Sequence, residues 1–193
     1  MITRRFGPAL YLLLTLALWQ SFSGLYIYAK AGLAQYLISK AWHQTQETRI
    51  QAQTRIPPWA WADTWPVARL IFPASEKQLM VLNGASGRTL AFGPGYLTSS
   101  AYPGKPGNTV ILGHRDTHFS VLHALQHGQT ILLETADGVT IEYEVSDTMI
   151  LDESQTDVLG DFDTAMLTLI TCYPFDAIMP GGRLRYVVIA EPA

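Results

Sequence analysis

Hydrophobic and polar positions follow two regimes along the chain. From Phe6 to Ala29, 24 residues pass without a charge. About 20 apolar residues cross a bilayer as a helix, so residues 6–29 are predicted to form a transmembrane anchor, with residues 1–5 as a cytoplasmic N-terminus. Arg4 and Arg5 before it suit that orientation, although Lys30 and Lys40 lie on the other side. A cleaved signal peptide is the alternative, because Ala29-Lys30-Ala31 has an A-x-A form and Ala9 to Trp19 is an acceptable apolar core. The stretch is longer than such a core needs, which favours a retained anchor. Beyond it, Leu33, Tyr36, Leu37, Ala41 and Trp42 recur at helical spacing. Residues 30–64 therefore predict a helical stalk and a Trp-rich linker. The stalk is solvated from His43 to Arg55 and stopped by Pro57-Pro58. Trp59, Trp61 and Trp65 fit either a patch packed on the domain or an anchor at lipid headgroups.

From Val67 onward the pattern changes to short apolar runs separated by turn residues. Val67–Phe72, Gln78–Leu82, Thr89–Phe92, Thr109–Leu112, Thr130–Glu134, Val139–Val145, Met166–Thr171 and Leu184–Ala190 read as strands. Asn83-Gly84 is a hairpin-type turn signal, and Glu134 to Val139 reads as a plain hairpin. Phe119 to His127 has room for a short helical turn. Strands at this spacing, with abundant Gly and Pro, predict an all-β barrel or sandwich over residues 65–193. Neither an internal repeat nor a low-complexity tract interrupts it.

Composition narrows the function classes. Hydrophobic residues are 48% of the chain and charged residues 15%, too apolar for disorder. A net charge of -3 supplies no basic footprint for nucleic acid. The single cysteine, Cys172, cannot form an intramolecular disulfide. Anchor and signal peptide alike place the domain outside the cytoplasm, where the environment is oxidising and an idle thiol is a liability. Cys172 ends the run Leu167 to Thr171, and a cysteine nucleophile needs a proton-managing neighbour and an oxyanion donor. His114 follows an apolar run and Gly113, at a strand end where glycine permits close backbone approach. Arg115 and Asp116 adjoin it, and His118 is a competitor. Arg183 and Arg185 open the last strand and share a face, so periodicity does not choose between them. A guanidinium suits an oxyanion, although a strand-edge charge also blunts aggregation. His123 and His127, four apart, lack a third ligand at a recognisable spacing, so no metal is expected. Asp152, Glu153, Asp157, Asp161 and Asp163 read as a solvated acidic face.

Thr168-Leu169-Ile170-Thr171-Cys172 resembles the T-L-x-T-C signature of sortases. Asn108 to Thr117 is similar to their histidine segment in its class D-like form, and Arg185-Tyr186-Val187-Val188 to their last-strand arginine. Phe92-Gly93-Pro94-Gly95 and Tyr102-Pro103-Gly104 resemble stretches upstream of the histidine, except that Tyr96 stands where the family often has histidine. The resemblance runs from about Trp65 to Ala193, with the elements in the family's order, and is narrower still to the sortases of Gram-negative, marine proteobacteria.

What the resemblance implies is a closed β-barrel of about eight strands with short helical connections, behind an N-terminal transmembrane helix and stalk. It implies a membrane-anchored cysteine transpeptidase without a cofactor. Cys172, His114 and Arg185 would be catalytic, with Thr171 and Arg183 in substrate binding and Asp116 tuning His114. The loop Tyr173 to Gly182 would wall the substrate groove. The partners implied are a protein with a C-terminal LPxTG-like sorting signal and an amine acceptor, from peptidoglycan or a protein lysine. The compartment implied is the outer side of the cytoplasmic membrane, which is the periplasm in a Gram-negative cell. A thiol peptidase that hydrolyses the same signal, and a non-enzymatic tethered β-domain, are the alternatives.

Overall fold

A computed structural model describes residues 7–48, 55–160, 164–179 and 181–193. Arg4, Arg5, Asp161, Asp163 and the end of the expected stalk before Arg55 lie outside the described residues.

One continuous helix, α1 (Gly7–Glu47), carries the apolar N-terminal region. Its 41 residues correspond to about 60 Å at 1.5 Å per residue. From Leu10 it is long and apolar enough to cross a membrane. The chain divides into two compact units at Tyr36/Leu37, within this helix. In the first unit, side chains such as Leu12, Leu16, Phe22 and Ile27 are exposed all round. In the second unit the last helical turns are not a free stalk. Ile38, Ala41 and Trp42 are buried, and Gln46 donates to Glu134 Oε1 at 2.5 Å. Glu134 in turn pairs with Arg69. Of the residues at helical spacing, Ala41 and Trp42 are buried, whereas Leu33 and Tyr36 are exposed.

The remaining elements form a closed barrel. In chain order they are β1 (Pro66–Phe72), β2 (Lys77–Asn83), the short α2 (Gly87–Leu90), β3 (Gly95–Tyr96), β4 (Asn108–Leu112), β5 (Thr130–Thr135), β6 (Thr140–Asp152), β7 (Met166–Cys172) and β8 (Leu184–Pro192). Around the barrel the order is β1-β2-β3-β4-β7-β8-β6-β5, with β5 pairing back to β1. Closure gives every strand a neighbour on both sides over at least part of its length. The interior holds Val67, Leu70, Val81, Ile111, Leu133, Tyr143, Leu167, Leu169 and Val188.

Three expectations are corrected. The run Thr89–Phe92 is not a strand: Ser86 caps α2 by accepting from Thr89 N, and Thr89 belongs to that helical turn. Asn83-Gly84 does not close a hairpin, because β2 pairs in parallel with the two-residue β3, which lay hidden in the Gly-Pro-Gly segment. Gly95 permits this pairing, since a Cβ there would lie 2.4 Å from the Gly84 carbonyl oxygen. Strand β6 runs on to Asp152 past a bulge between Val145 and Asp147. The β5–β6 hairpin, by contrast, matches expectation, with Gly138 at φ 81. Of the three linker tryptophans, Trp59 packs edge-on against Phe92 and Trp65 packs on the core, whereas Trp61 is 84% exposed.

Candidate active site

Strand β7 alternates strictly. Leu167 and Leu169 point into the barrel, while Ile170 belongs to a second cluster on the outer face with Val110 and Val187. Two residues beyond Ile170, Cys172 therefore faces outward too. Its register partner on antiparallel β8 is Arg185, and Ile170 pairs with Val187. On the other side, parallel β4 places Leu112 beside Ile170. Pairing continues past the formal end of β4: Gly113 N donates to the Ile170 carbonyl at 3.1 Å, and Thr171 Oγ1 donates to the Gly113 carbonyl at 2.7 Å. His114 follows Gly113, two residues past the end of β4. The outer row Leu112–Ile170–Val187 is followed on β7 and β8 by the pair Cys172–Arg185, and the histidine segment leaves the barrel at the same rim.

Local structure fixes each member. Gly113 lies under Phe119, where a Cβ would come within 2.7 Å of ring carbons, so the expected close approach is real. Phe119 N then donates to the His114 carbonyl at 3.0 Å, turning the chain into the 3-10 segment His118–Ala124. His114 is exposed and Cys172 half-buried. His118, the competitor, is different: burial chiefly, then the Lys77 charge, then His114, lowers its pKa. Lys77 Nζ lies alongside, donating to the Thr117 carbonyl and Ser120 Oγ.

The register separates the two arginines. Arg185 lies directly across from Cys172, with Nη1 donating to the carbonyls of Gly182 (2.6 Å) and Leu184 (3.0 Å) and Nη2 to Glu153 Oε2 (2.7 Å). Its Nε–H and second Nη2–H have no partner among the described residues, which leaves donors for an incoming oxygen. Arg183 is farther along, 69% exposed, and reaches Asp152 at 3.1 Å. The Thr171 side chain is 2% exposed and its hydroxyl is occupied by Gly113. It holds the histidine strand to the cysteine strand and does not face the groove.

A groove of about 210 Å³ runs along the outer face beside this row. Its floor is Leu97, Leu112, Ile170 and Val187; the wall is Leu151 to Glu153 with Val158 and Leu159, and Arg185 stands at one end. The end of β6 and the segment after it supply this wall. Asp152 and Glu153 are therefore not part of a merely solvated face: both pair with the arginines. Hydrogen bonds from Ser154 lead the effects that lower the Asp152 pKa, with Arg183 adding to them. Asn108, buried at the start of β4, anchors the wall by donating to the carbonyls of Val158 (2.8 Å) and Gly160 (3.4 Å) while accepting from Thr168. Sequence reasoning missed Asn108 and the wall, although an amide opening an apolar strand was a usable signal. Among the described residues no cluster of three or more metal-ligating side chains forms.

The loop Tyr173 to Gly182 caps the barrel end past Cys172. Phe175 packs against Tyr186 and His123, with Tyr173 stacked on Tyr186. Arg115, which follows His114, is buried and reaches this loop from below.

The chain resembles known proteins over this whole barrel. It is 31% identical to Sortase D of Bacillus subtilis over 123 residues, 63% of this chain and 61% of that protein. It is 30% identical to Sortase A of Listeria monocytogenes over 110 residues, 55% of this chain and 49% of that protein. The chain thus spans about half to three-fifths of the length of these curated relatives. Among solved structures, a Clostridium perfringens Sortase D5 transpeptidase superposes with a TM-score of 0.65 at 22% identity, covering 82% of this chain and 99% of that one. The catalytic domain of B. anthracis SrtD superposes with a TM-score of 0.57 at 35% identity, covering 66% and 87%. The family model for the sortase domain matches residues 70–193, the stretch that builds the barrel, the groove, the Cys172–Arg185 pair and the His114 segment. By that match the chain belongs to the sortase family.

Proposed function

We propose that this protein is a membrane-anchored cysteine transpeptidase that cleaves an LPxTG-like sorting signal and joins the released protein to an amine. The observation that carries the reading is the register pair Cys172–Arg185, with Arg185 lining an apolar groove and the His114 segment leaving β4 at the same rim. The likeness to Sortase D and to the D5 enzyme supports its class D-like character.

The sorting signal lies in the groove, its leucine and proline over Leu97, Leu112, Ile170 and Val187, and its threonine carbonyl carbon at Cys172 Sγ. The thiolate attacks that carbon, and Arg185 donates to the oxyanion that forms. On collapse the C–N bond breaks, His114 as imidazolium gives its proton to the leaving amine, and a thioester remains on Cys172. An incoming amine attacks the thioester and loses a proton to His114. The new amide forms, and the Cys172 thiolate and His114 imidazolium are regenerated. Helix α1 anchors the enzyme, with the barrel on the outer side of the membrane, in the periplasm where a second membrane encloses that space.

The test is mass spectrometry of the protein incubated with a sorting-signal peptide, with and without an amine. A thioester adduct on Cys172 that is resolved into an amide product when amine is present supports the reading. Hydrolysis at a rate indifferent to any amine would reassign it as a thiol peptidase, and failure to form any adduct would sink both.

A further inference from the structure

Arg115 takes no part in the bond-making above, yet its placement is unusual. The side chain is only 6% exposed. A guanidinium stays charged at any pH a protein meets, so its burial is costly unless every hydrogen is engaged. Nη2 donates to the carbonyl oxygens of Ala177 (2.6 Å) and Met179 (3.3 Å), and Nε pairs with Asp116 Oδ1 (3.2 Å). Only Asp116 carries a compensating charge, and its own side chain is 68% exposed. Filling space does not call for such an arrangement, since an apolar residue would do so without the desolvation cost. Its distinctive product is a cross-link between segments 62 and 64 residues apart in sequence.

The two segments are the ones that bear on the reaction. Arg115 adjoins His114, and the loop it grips joins Cys172 to Arg185. The first half of that loop is held by Phe175. In the second half the large apolar side chains among the described residues face solvent, Ile178 being 96% and Met179 76% exposed. Arg115 holds it at Ala177 and Met179, and Arg185 holds it at Gly182. The loop backbone thus bridges the arginine beside His114 and the arginine opposite Cys172.

We propose that Arg115 is a positioning residue: by gripping the loop between β7 and β8 it fixes His114 and Arg185 about Cys172. The inference rests on the transpeptidase reading. No described residue of that loop is among those lining the groove, so losing the grip should spare substrate binding and slow the chemical step. Misplacement of reacting groups by about 1 Å can cost on the order of 10²-fold in rate.

The experiment compares the full-length detergent-solubilised protein with Arg115→Ala and Arg115→Lys. Steady-state transpeptidation of a sorting-signal peptide supplies kcat and KM; amide exchange between Asp176 and Gly182 reports the grip. The expected result for Arg115→Ala is faster exchange in that loop, kcat lower by about 10- to 100-fold and KM within about twofold. Added guanidinium ion should restore part of the kcat, and Arg115→Lys should lie between. A folded Arg115→Ala with unchanged exchange and kcat overturns the proposal, as does a rise in KM alone. If Arg115→Ala fails to fold, Arg115→Lys carries the same comparison. A wild type that never acylates sinks the transpeptidase reading by itself. The grip is then decided by exchange and by alkylation of Cys172 with iodoacetamide: both altered in the variant upholds it, both unaltered overturns it.

Discussion

The two faces of β7 carry nearly the same kinds of residue and do different work. Inward, Leu167 and Leu169 are sealed in the barrel, and Thr171 gives its hydroxyl to a backbone carbonyl. Outward, Ile170 belongs to a second, smaller buried cluster with Val110 and Val187, part of which lines the groove, and the row ends in a half-buried thiol. The interior cluster carries most of the buried apolar side chains, and the outer one adds a surface that a ligand can reach through the groove. Stability and function should accordingly be weighted differently by residue parity along a single strand.

The largest separation is expected at the end of the row. Arg185→Ala should lower kcat/KM by about 10²- to 10³-fold, as removal of an oxyanion donor does elsewhere. Arg183→Ala, whose guanidinium is engaged with Asp152 at the surface, should stay within about twofold. Steady-state kinetics on both variants decides between the two arginines, and the reverse result would move the oxyanion role to Arg183. One step back along β7, Leu169→Ala should destabilise by about 2–5 kcal/mol in chemical denaturation, with the acylation rate of the surviving folded fraction little changed. Ile170→Asp should raise KM by about tenfold or more, and its unfolding midpoint should fall as well, because a carboxylate would replace a side chain only 8% exposed. If Ile170→Asp unfolds the barrel, the outer cluster belongs to the core and the two faces are not distinct.

Thr171→Val is the intermediate case, because it lies on the inner face but adjoins the site. Removing its hydroxyl leaves the Gly113 carbonyl without that donor, at a cost of about 1–3 kcal/mol. The same bond joins the strand of His114 to that of Cys172, so kcat should fall more than KM rises. Thermal unfolding and kinetics on one preparation check both parts.

How much of this was legible in the sequence follows from where the signal resides. Period-2 alternation and turn residues are local, and most of the strands bounded by them, together with the Glu134–Val139 hairpin, emerge as read, whereas the run Thr89–Phe92 does not. Cys172 and His114 stood out as candidates because each ends an apolar run, and the choice of Arg185 over Arg183 came from the family resemblance alone. The misses depend on partners distant in sequence. Strand β3 is two residues long and exists only because β2 and β4 flank it. Asn108 and Arg115 look like ordinary polar residues until the carbonyls of Val158 and Ala177, about 50 and 62 residues away, are brought to them. Thr171 was expected in substrate binding, but alternation puts it on the inner face. The polar run from His43 reads as solvated, and His43, Gln44, Glu47 and Thr48 are exposed; what it does not reveal is that Gln46 reaches Glu134, 88 residues away.

The smallest expected effect contrasts the two neighbouring histidines. His118 is half-buried, with its Nδ1 near Thr117 Oγ1 at 3.3 Å and Lys77 and His114 as its nearest positive groups. Burial first, then those charges, lowers its pKa below the ordinary value of 6.5. Above about pH 6.5 the imidazole is neutral in both folded and unfolded chains and contributes no pH dependence. As pH falls through that value the unfolded chain takes up the proton first, so stability decreases. The decrease ends only when the folded group also protonates, at its lower pKa. His118→Asn should therefore flatten the fall in unfolding temperature below about pH 6.5 while leaving the plateau at higher pH. Thermal scans of both proteins across that window test it. A parallel fall in the two would show that the acid sensitivity arises elsewhere, and that burial of the second histidine does not distinguish it from the exposed first.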